Sequence, residues 1–161
     1  MKKFKIYKAK PNDNLFVFKL YNFAVGKKFF KNKKKLSLED HSKWYEFALK
    51  SKEIYIHICQ FNNKPIGYIK YNLFRKNSAY ISIVIKRNKE YKGLSSYYLK
   101  KSILIIYKRL KVKYYYAEVL KSNKISKKFF VKNMFRKSII NQKLSKIFNQ
   151  KNLLYCYVYK K

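Results

Sequence analysis

Apolar and polar positions alternate with a period of two along much of this chain, and in four stretches the rhythm changes to a period near 3.6. The alternation is clearest over residues 53–61. There Ile54, Ile56 and Ile58 share one face while Tyr55, His57 and Cys59 share the other. Asn62-Asn63-Lys64-Pro65 reads as a turn, 66–74 as the returning strand, and 75–78 as a second turn into a strand over 79–85. On that last strand Ile81, Ile83 and Ile85 lie opposite Tyr80, Ser82 and Val84. Links this short predict three consecutive antiparallel strands. Further strand-like runs occupy 4–8, 114–119, 134–140 and 153–159.

Pro11-Asn12-Asp13-Asn14 supplies start chemistry for a helix over 15–22, which a basic connector over 24–35 follows, holding Gly26 and Lys33-Lys34-Lys35. Ser37-Leu38-Glu39-Asp40 has the form of a capping box, with Asp in place of Glu or Gln. Behind it Leu38, His41, Tyr45 and Ala48 recur at helical spacing, with Trp44 alongside. The same spacing puts Leu99, Ile103, Ile106 and Leu110 on one face of a helix over 96–110. A final helical stretch opens at Ser122-Asn123 and runs to 133, and a polar segment over 141–152 separates the last two strands. The order β-α-α-β-β-β-α-β-α-β-β predicts one α/β domain over 1–161. Its sheet is mixed and mostly antiparallel, of about six to seven strands, with a parallel or splayed pair around the long helix.

Between the strand at 79–85 and that helix lies a polar turn with a lone glycine, Gly93. A strand running through glycine into a helix N-terminus is a phosphate-binding arrangement, because backbone N–H groups converge there and the helix dipole adds positive charge.

Composition raises a competing idea. The chain carries 41 basic and seven acidic residues, a net charge of +34, which suits a polyanionic partner. Yet 37 of those cations are lysines and four are arginines, whereas nucleic-acid readers favour Arg for bidentate contacts. Lys, Asn, Ile, Phe and Tyr, all with codons built only from A and T, make up 97 of 161 residues, so base composition alone can write this charge onto any fold. Cys59 and Cys156 form no CxxC pair and, with two histidines, supply no metal cluster; buried reduced thiols are expected. No apolar run follows the basic N-terminus as in a signal peptide, and nothing approaches the ~18 apolar residues of a membrane span. A soluble cytoplasmic protein is expected.

Around Gly93 the segment Glu90-Tyr91-Lys92-Gly93-Leu94-Ser95 resembles the Arg/Gln-x-x-Gly-x-Gly/Ala signature of the GNAT superfamily of acyl-CoA-dependent N-acetyltransferases. Gly93 matches the central glycine, Ser95 replaces the small terminal residue, and Glu90 departs from Arg or Gln. About thirty residues on, Asn123, Ser126, Phe130, Lys132 and Phe135 fit the family pattern Asn-x-x-Ser-x-x-x-Tyr/Phe-x-Lys-x-Gly-Phe, with Met134 in the glycine position. The resemblance implies a coenzyme A site. Lys92, Gly93, Leu94, Ser95 and Ser96 would hold the pyrophosphate, and Asn123 and Ser126 the pantetheine arm. Backbone donors around Ile83, Val84 and Ile85 would polarise the thioester. A helix merely capped at Ser122 or Asn123, with Phe129 and Phe130 in the core, satisfies the second pattern equally.

Residues 20–22, 36–45 and 63–71 are similar to N-acetyltransferases of nucleotide-linked amino sugars, of the pseudaminic-acid-pathway type, although ribosomal-protein acetyltransferases share part of this pattern. The implied reaction is direct attack of an amine on acetyl-CoA, with no metal. The family's usual acid, a tyrosine, falls on Phe130, which has no proton to give. Tyr80, Ser82 and His41 are the candidate catalytic groups, and His41 and Trp44 are candidates to line the acceptor site. The plain reading makes both histidines structural, His41 as a hydrogen-bonded helix residue and His57 in mid-strand. A protein N-terminus or another small amine remains an alternative acceptor, and a basic nucleic-acid-binding module an alternative class. The oligomeric state stays open, a homodimer included.

Overall fold

The computed structural model describes residues 3–27, 34–138 and 154–161, the side chains of 154–157 excepted. Seven strands form one sheet, β1 (Phe4–Lys8), β2 (Ile54–Phe61), β3 (Lys64–Leu73), β4 (Ser78–Ile85), β5 (Tyr114–Leu120), β6 (Arg136–Ser138) and β7 (Leu154–Lys160). The helices are α1 (Asn14–Gly26), α2 (Leu38–Lys50), α3 (Leu94–Leu110) and α4 (Lys124–Lys132). Strand order is β1-β2-β3-β4-β5-β7-β6. Every neighbouring pair is antiparallel except β4 and β5, which run parallel across the α3 crossover.

The period-two pattern of β2 maps onto two cores. Cys59 joins Ile69, Tyr71, Ile81, Leu99, Ile103 and Ile106 beneath α3. Ile56 and Ile58 join Val17, Leu20, Tyr45, Ala48 and Tyr68 on the opposite face, beneath α1 and α2. Helices therefore cover both faces, which is why β2 and β3 bury alternate residues of both sets. His57 sits in the α3-side core as a structural group. Its Nδ1 lies 2.8 Å from Ser102 Oγ, which is also 2.6 Å from the Tyr71 hydroxyl.

Ser37 caps α2 by accepting from the Asp40 amide, and the Asp40 carboxylate accepts from the Ser37 hydroxyl rather than from its backbone. The expected helix over 15–22 is longer: α1 starts at Asn14 and runs to Gly26, so 24–26 are helical and not connector. Of the connector, 28–33 lie outside the described residues, as do 139–153 and with them the polar segment and parts of both expected flanking strands. Pro65 belongs to β3 and not to the turn. The αL residues that turn the chain there are Asn62 and Asn63, at φ 47 and 62. Cys59 is a buried free thiol whose pKa burial pushes up; the Cys156 side chain lies outside the described residues.

Candidate active site

The parallel pairing of β4 with β5 covers only Ser78–Tyr80 against Tyr114–Tyr116. Beyond it β5 follows β7 with an unbroken register to Leu120, while β4 stays with β3 as far as Ile85. The two strands therefore diverge, and a cleft of about 760 Å³ opens between them. That volume lies within the usual range of small-molecule sites.

In the β3–β4 ladder Lys86 N donates to Ile66 O and Phe74 N to Ser78 O. Ladder alternation then turns the amides of the odd-numbered residues Ile83 and Ile85 away from β3, toward the cleft. Gly67 keeps this strand end in place. A Cβ there would lie 2.4 Å from Val84 O and 2.8 Å from Ile85 Cα, so only glycine allows β3 to approach so closely.

Chain leaving β4 forms a basic turn into α3. Lys86, Arg87, Lys89 and Lys92 all line the cleft. Asn88 accepts from the Glu90 amide and sets a short 3-10 turn over Lys89–Tyr91. Gly93 then takes φ +84 as the N-cap of α3, without a side-chain cap, and nothing lies within 4 Å of where its Cβ would stand. Uncapped first-turn amides, an open glycine cradle and four cations suit a pyrophosphate. Glu90 is exposed and does not line the cleft, so its departure from Arg or Gln puts no carboxylate into the cradle.

Opposite the turn, α4 brings Asn123, Ser126, Phe129 and Phe130 to the cleft. Asn123 Oδ1 caps α4 by accepting from Ser126 N at 3.0 Å, so its capping and cleft-lining roles coexist. Phe130 packs edge-on to Phe129 and Phe135 and is nearly buried.

The cleft thus gathers Ser82, Ile83, Val84, Ile85, Lys92, Gly93, Ser95, Asn123, Ser126 and Phe130 from the expected site. Ser96 stands outside it, accepting from Asn133 Nδ2 and so tying α3 to the end of α4. Leu94 packs on the core and contributes only its helix-terminal amide. Tyr80 also lies off the cleft, stacked on Phe74 with ring centroids 4.4 Å apart. His41 and Trp44 are further off, in the α1–α2 layer.

His41 is almost wholly buried. Asn14 Nδ2 donates to Ser42, which leaves its Oδ1 to accept from His41 Nδ1 at 2.8 Å. Burial lowers the pKa, so the ring is neutral and Nε2 carries a lone pair that no donor meets.

Among the cleft residues not anticipated from sequence are Phe23 and Ala24 of α1, Lys86 and Arg87 of the turn, Ile125 of α4 and Glu118 of β5. Glu118 is the one carboxylate among the described lining residues. Its neighbours Ala117 and Val119 are buried under α3, so the strand pleat turns it to the α1–α2 face, as it does Ser82 of β4. The two faces of the cleft therefore differ. The uncapped helix start and the lining cations lie on the α3–α4 side, and the polar pair Ser82 and Glu118 opens to the other. Among the described residues no group of three or more His, Cys, Asp or Glu side chains could hold a metal, and no helix is long and apolar enough to cross a membrane.

The profile of the acetyltransferase (GNAT) family matches residues 18–134. No curated protein sequence matches the chain. Among solved structures, a ribosomal-protein-alanine N-acetyltransferase from Brucella melitensis is 20% identical, with a TM-score of 0.77 over 98% of this chain and 99% of that one. An N-acetyltransferase from Staphylococcus aureus Mu50 is 19% identical, with a TM-score of 0.77 and 98% of each chain covered. The N-acetyltransferase PseH of Campylobacter jejuni is 17% identical, with a TM-score of 0.71 and 98% of each covered. At such identities these likenesses establish the fold, and the family rests on the profile.

Proposed function

The chain belongs to the acetyltransferase (GNAT) family, and from that premise we propose that it acetylates an amine of a nucleotide-linked amino sugar, in the cytoplasm, by direct transfer in a ternary complex. Membership makes it an enzyme, an acetyl-CoA-dependent N-acetyltransferase; the acceptor and the residue roles are the proposed part.

One observation carries the acceptor. The three segments that resemble amino-sugar acetyltransferases, distant in sequence, are joined on the α1–α2 face of the sheet. Asn22 holds Leu36 through both its amide groups, Nδ2 donating to the carbonyl and Oδ1 accepting from the N–H. Trp44 of α2 lies against Lys70 of β3, 5.1 Å from Nζ to ring centroid. A resemblance that reassembles on one face, next to Ser82 and Glu118, is what an acceptor site requires.

Acetyl-CoA supplies an acyl thioester. Gly93, the first amides of α3, Ser95, Lys89 and Lys92 would hold its pyrophosphate, and Asn123 and Ser126 its pantetheine arm. The Ile83 and Ile85 amides would stabilise negative charge on the thioester oxygen, in a site where donors are fixed beforehand. Ser82 would contact the acceptor. Glu118 would take the proton of the attacking amine, directly or through water. A sugar amine is less basic than a lysine, so a modest base suffices. Phe130 offers no proton, so the thiolate leaves unassisted by this position.

The test is to incubate the protein with acetyl-CoA and a UDP-4-amino sugar and follow free thiol. Turnover supports the acceptor. Coenzyme A binding without turnover, with transfer instead to a peptide N-terminus, would replace it.

A further inference from the structure

We propose that Lys70 is the anion anchor of the acceptor site, its ammonium taking a phosphate of the incoming nucleotide-linked substrate beside the Trp44 indole. This rests on the acceptor reading above and adds to it the group that would select such a substrate.

Lys70 is the Cα partner of Ser82 in the β3–β4 ladder. The two side chains therefore rise from the same face of the sheet, one strand spacing, about 5 Å, apart. Ser82 lines the cleft, so Lys70 stands one strand back from it on the acceptor side. Its ammonium lies over Trp44, and both side chains are half-buried, partly withdrawn from water yet reachable.

An ammonium so placed normally has a carboxylate partner, since desolvating a charge is costly. Lys70 has none. All seven acidic residues of the chain lie in the described segments, and the two ion pairs found there are Lys43–Glu39 and Lys50–Glu46, both exposed. Asp13, the acid nearest α1 in sequence, accepts from the Tyr7 hydroxyl and the Lys10 amide. Burial lowers the pKa of Lys70, and no carboxylate offsets it. The indole face compensates only in part.

A second group against the same indole is also incomplete. The His41 ring lies 5.3 Å from that of Trp44, and its buried Nε2 lone pair meets no donor. A cation without an anion and a buried acceptor without a donor thus both lie against the one indole ring. A sugar phosphate carries the anionic oxygens that Lys70 lacks, with a ring to set against Trp44. In a chain with 41 basic residues, surface charge alone would attract anions anywhere; Lys70 differs in being desolvated and placed beside the reacting strands.

The test compares wild type with Lys70→Met and Lys70→Arg. Met keeps the stem that covers apolar surface and removes the buried charge, so the variant is expected to melt at or above the wild-type temperature. Measured are KM for a UDP-4-amino sugar, the inhibition constant of UDP against it, and KM for acetyl-CoA. Lys70→Met is expected to raise the first two about 10- to 100-fold, the range of a lost charge-assisted hydrogen bond, and to leave the third unchanged. Lys70→Arg should recover much of the loss.

An unchanged UDP inhibition constant in Lys70→Met overturns the proposal, as does a parallel rise in KM for acetyl-CoA, which would mark a general charge effect. A wild type that ignores the UDP sugar defeats the acceptor reading instead. A panel of amines with and without a phosphate then decides for Lys70: a preference for phosphorylated amines that Lys70→Met removes supports the anchor, and no preference overturns it.

Discussion

Gly93 takes φ +84 where the basic turn enters α3, and its missing Cβ leaves open space facing the cleft. Alanine there meets no atom but is held in the left-handed region, at a cost of about 1–2 kcal/mol. Its methyl would occupy room the pyrophosphate is expected to use. Gly93→Ala should therefore lower stability by about 1 kcal/mol and weaken coenzyme A binding at least about tenfold, far more than the stability loss alone accounts for. Calorimetric titration with coenzyme A, beside a thermal melt, separates the two effects; equal affinity would remove Gly93 from the site. Met134 shows the same backbone demand answered differently. It stands at φ 68, in the position where the family pattern carries glycine, and tolerates that conformation while 72% exposed. Glu118 is the residue that sequence hid best. It sits between tyrosines and apolar residues in a strand, outside either quoted motif. The available signal was that six of the seven acids precede β5 and this one alone lies in the middle of a strand-like run, on the face opposite Tyr115, Ala117 and Val119. Glu118→Gln is expected to lower kcat about 100-fold with coenzyme A affinity kept, and to flatten the acidic limb of the pH–rate profile. An unaltered profile would assign the proton to another group.

At the scale of elements, the sheet was legible because each strand carries a period of two and the turns are marked by Asn, Pro and Gly. The end of α1 was not. Gly26 and the lysines beyond it look like a connector, yet the helix packs Ala24 and Val25 and persists to Gly26 because that burial outweighs weak local propensity. The splay of β4 from β5 leaves no mark in periodicity; it was the strand–helix–strand order that predicted such a pair, and the parallel pairing stops at Tyr80 and Tyr116 while β5 stays paired with β7 to Leu120. His57 illustrates an element junction whose chemistry can be measured. It links β2 to Ser102 of α3, and burial, with the charge of Arg109, lowers its pKa to about 4. Unfolded histidine takes a proton near pH 6.5, whereas the folded one stays neutral until about 4. The stability held by neutral His57 is thus complete above pH 6.5 and is lost progressively as pH falls toward 4, by about 3 kcal/mol in all. Urea midpoints taken between pH 7 and 4 should fall across that window. A flat series would mean the His57–Ser102 joint opens at no cost.

Over the whole molecule the charge of +34 acts in two opposed ways. Mutual repulsion among surface lysines disfavours the compact state, and salt relieves it. The same field draws anionic ligands toward the cleft, where Lys86, Arg87, Lys89 and Lys92 concentrate it, and salt weakens that attraction. The Debye length shrinks from roughly 20 Å to about 6 Å between about 0.02 and 0.3 M salt. Raising salt over that range is therefore expected to increase the melting temperature while lowering the association rate of coenzyme A about tenfold or more. The opposite signs make the pair informative. If charge reflects composition alone, stability responds and coenzyme A association does not, because a compositional excess spread evenly repels itself without focusing on any site. Stopped-flow binding beside thermal melts in the same buffers decides between them. Four cations on one turn, against a single carboxylate in the lining, favour focusing.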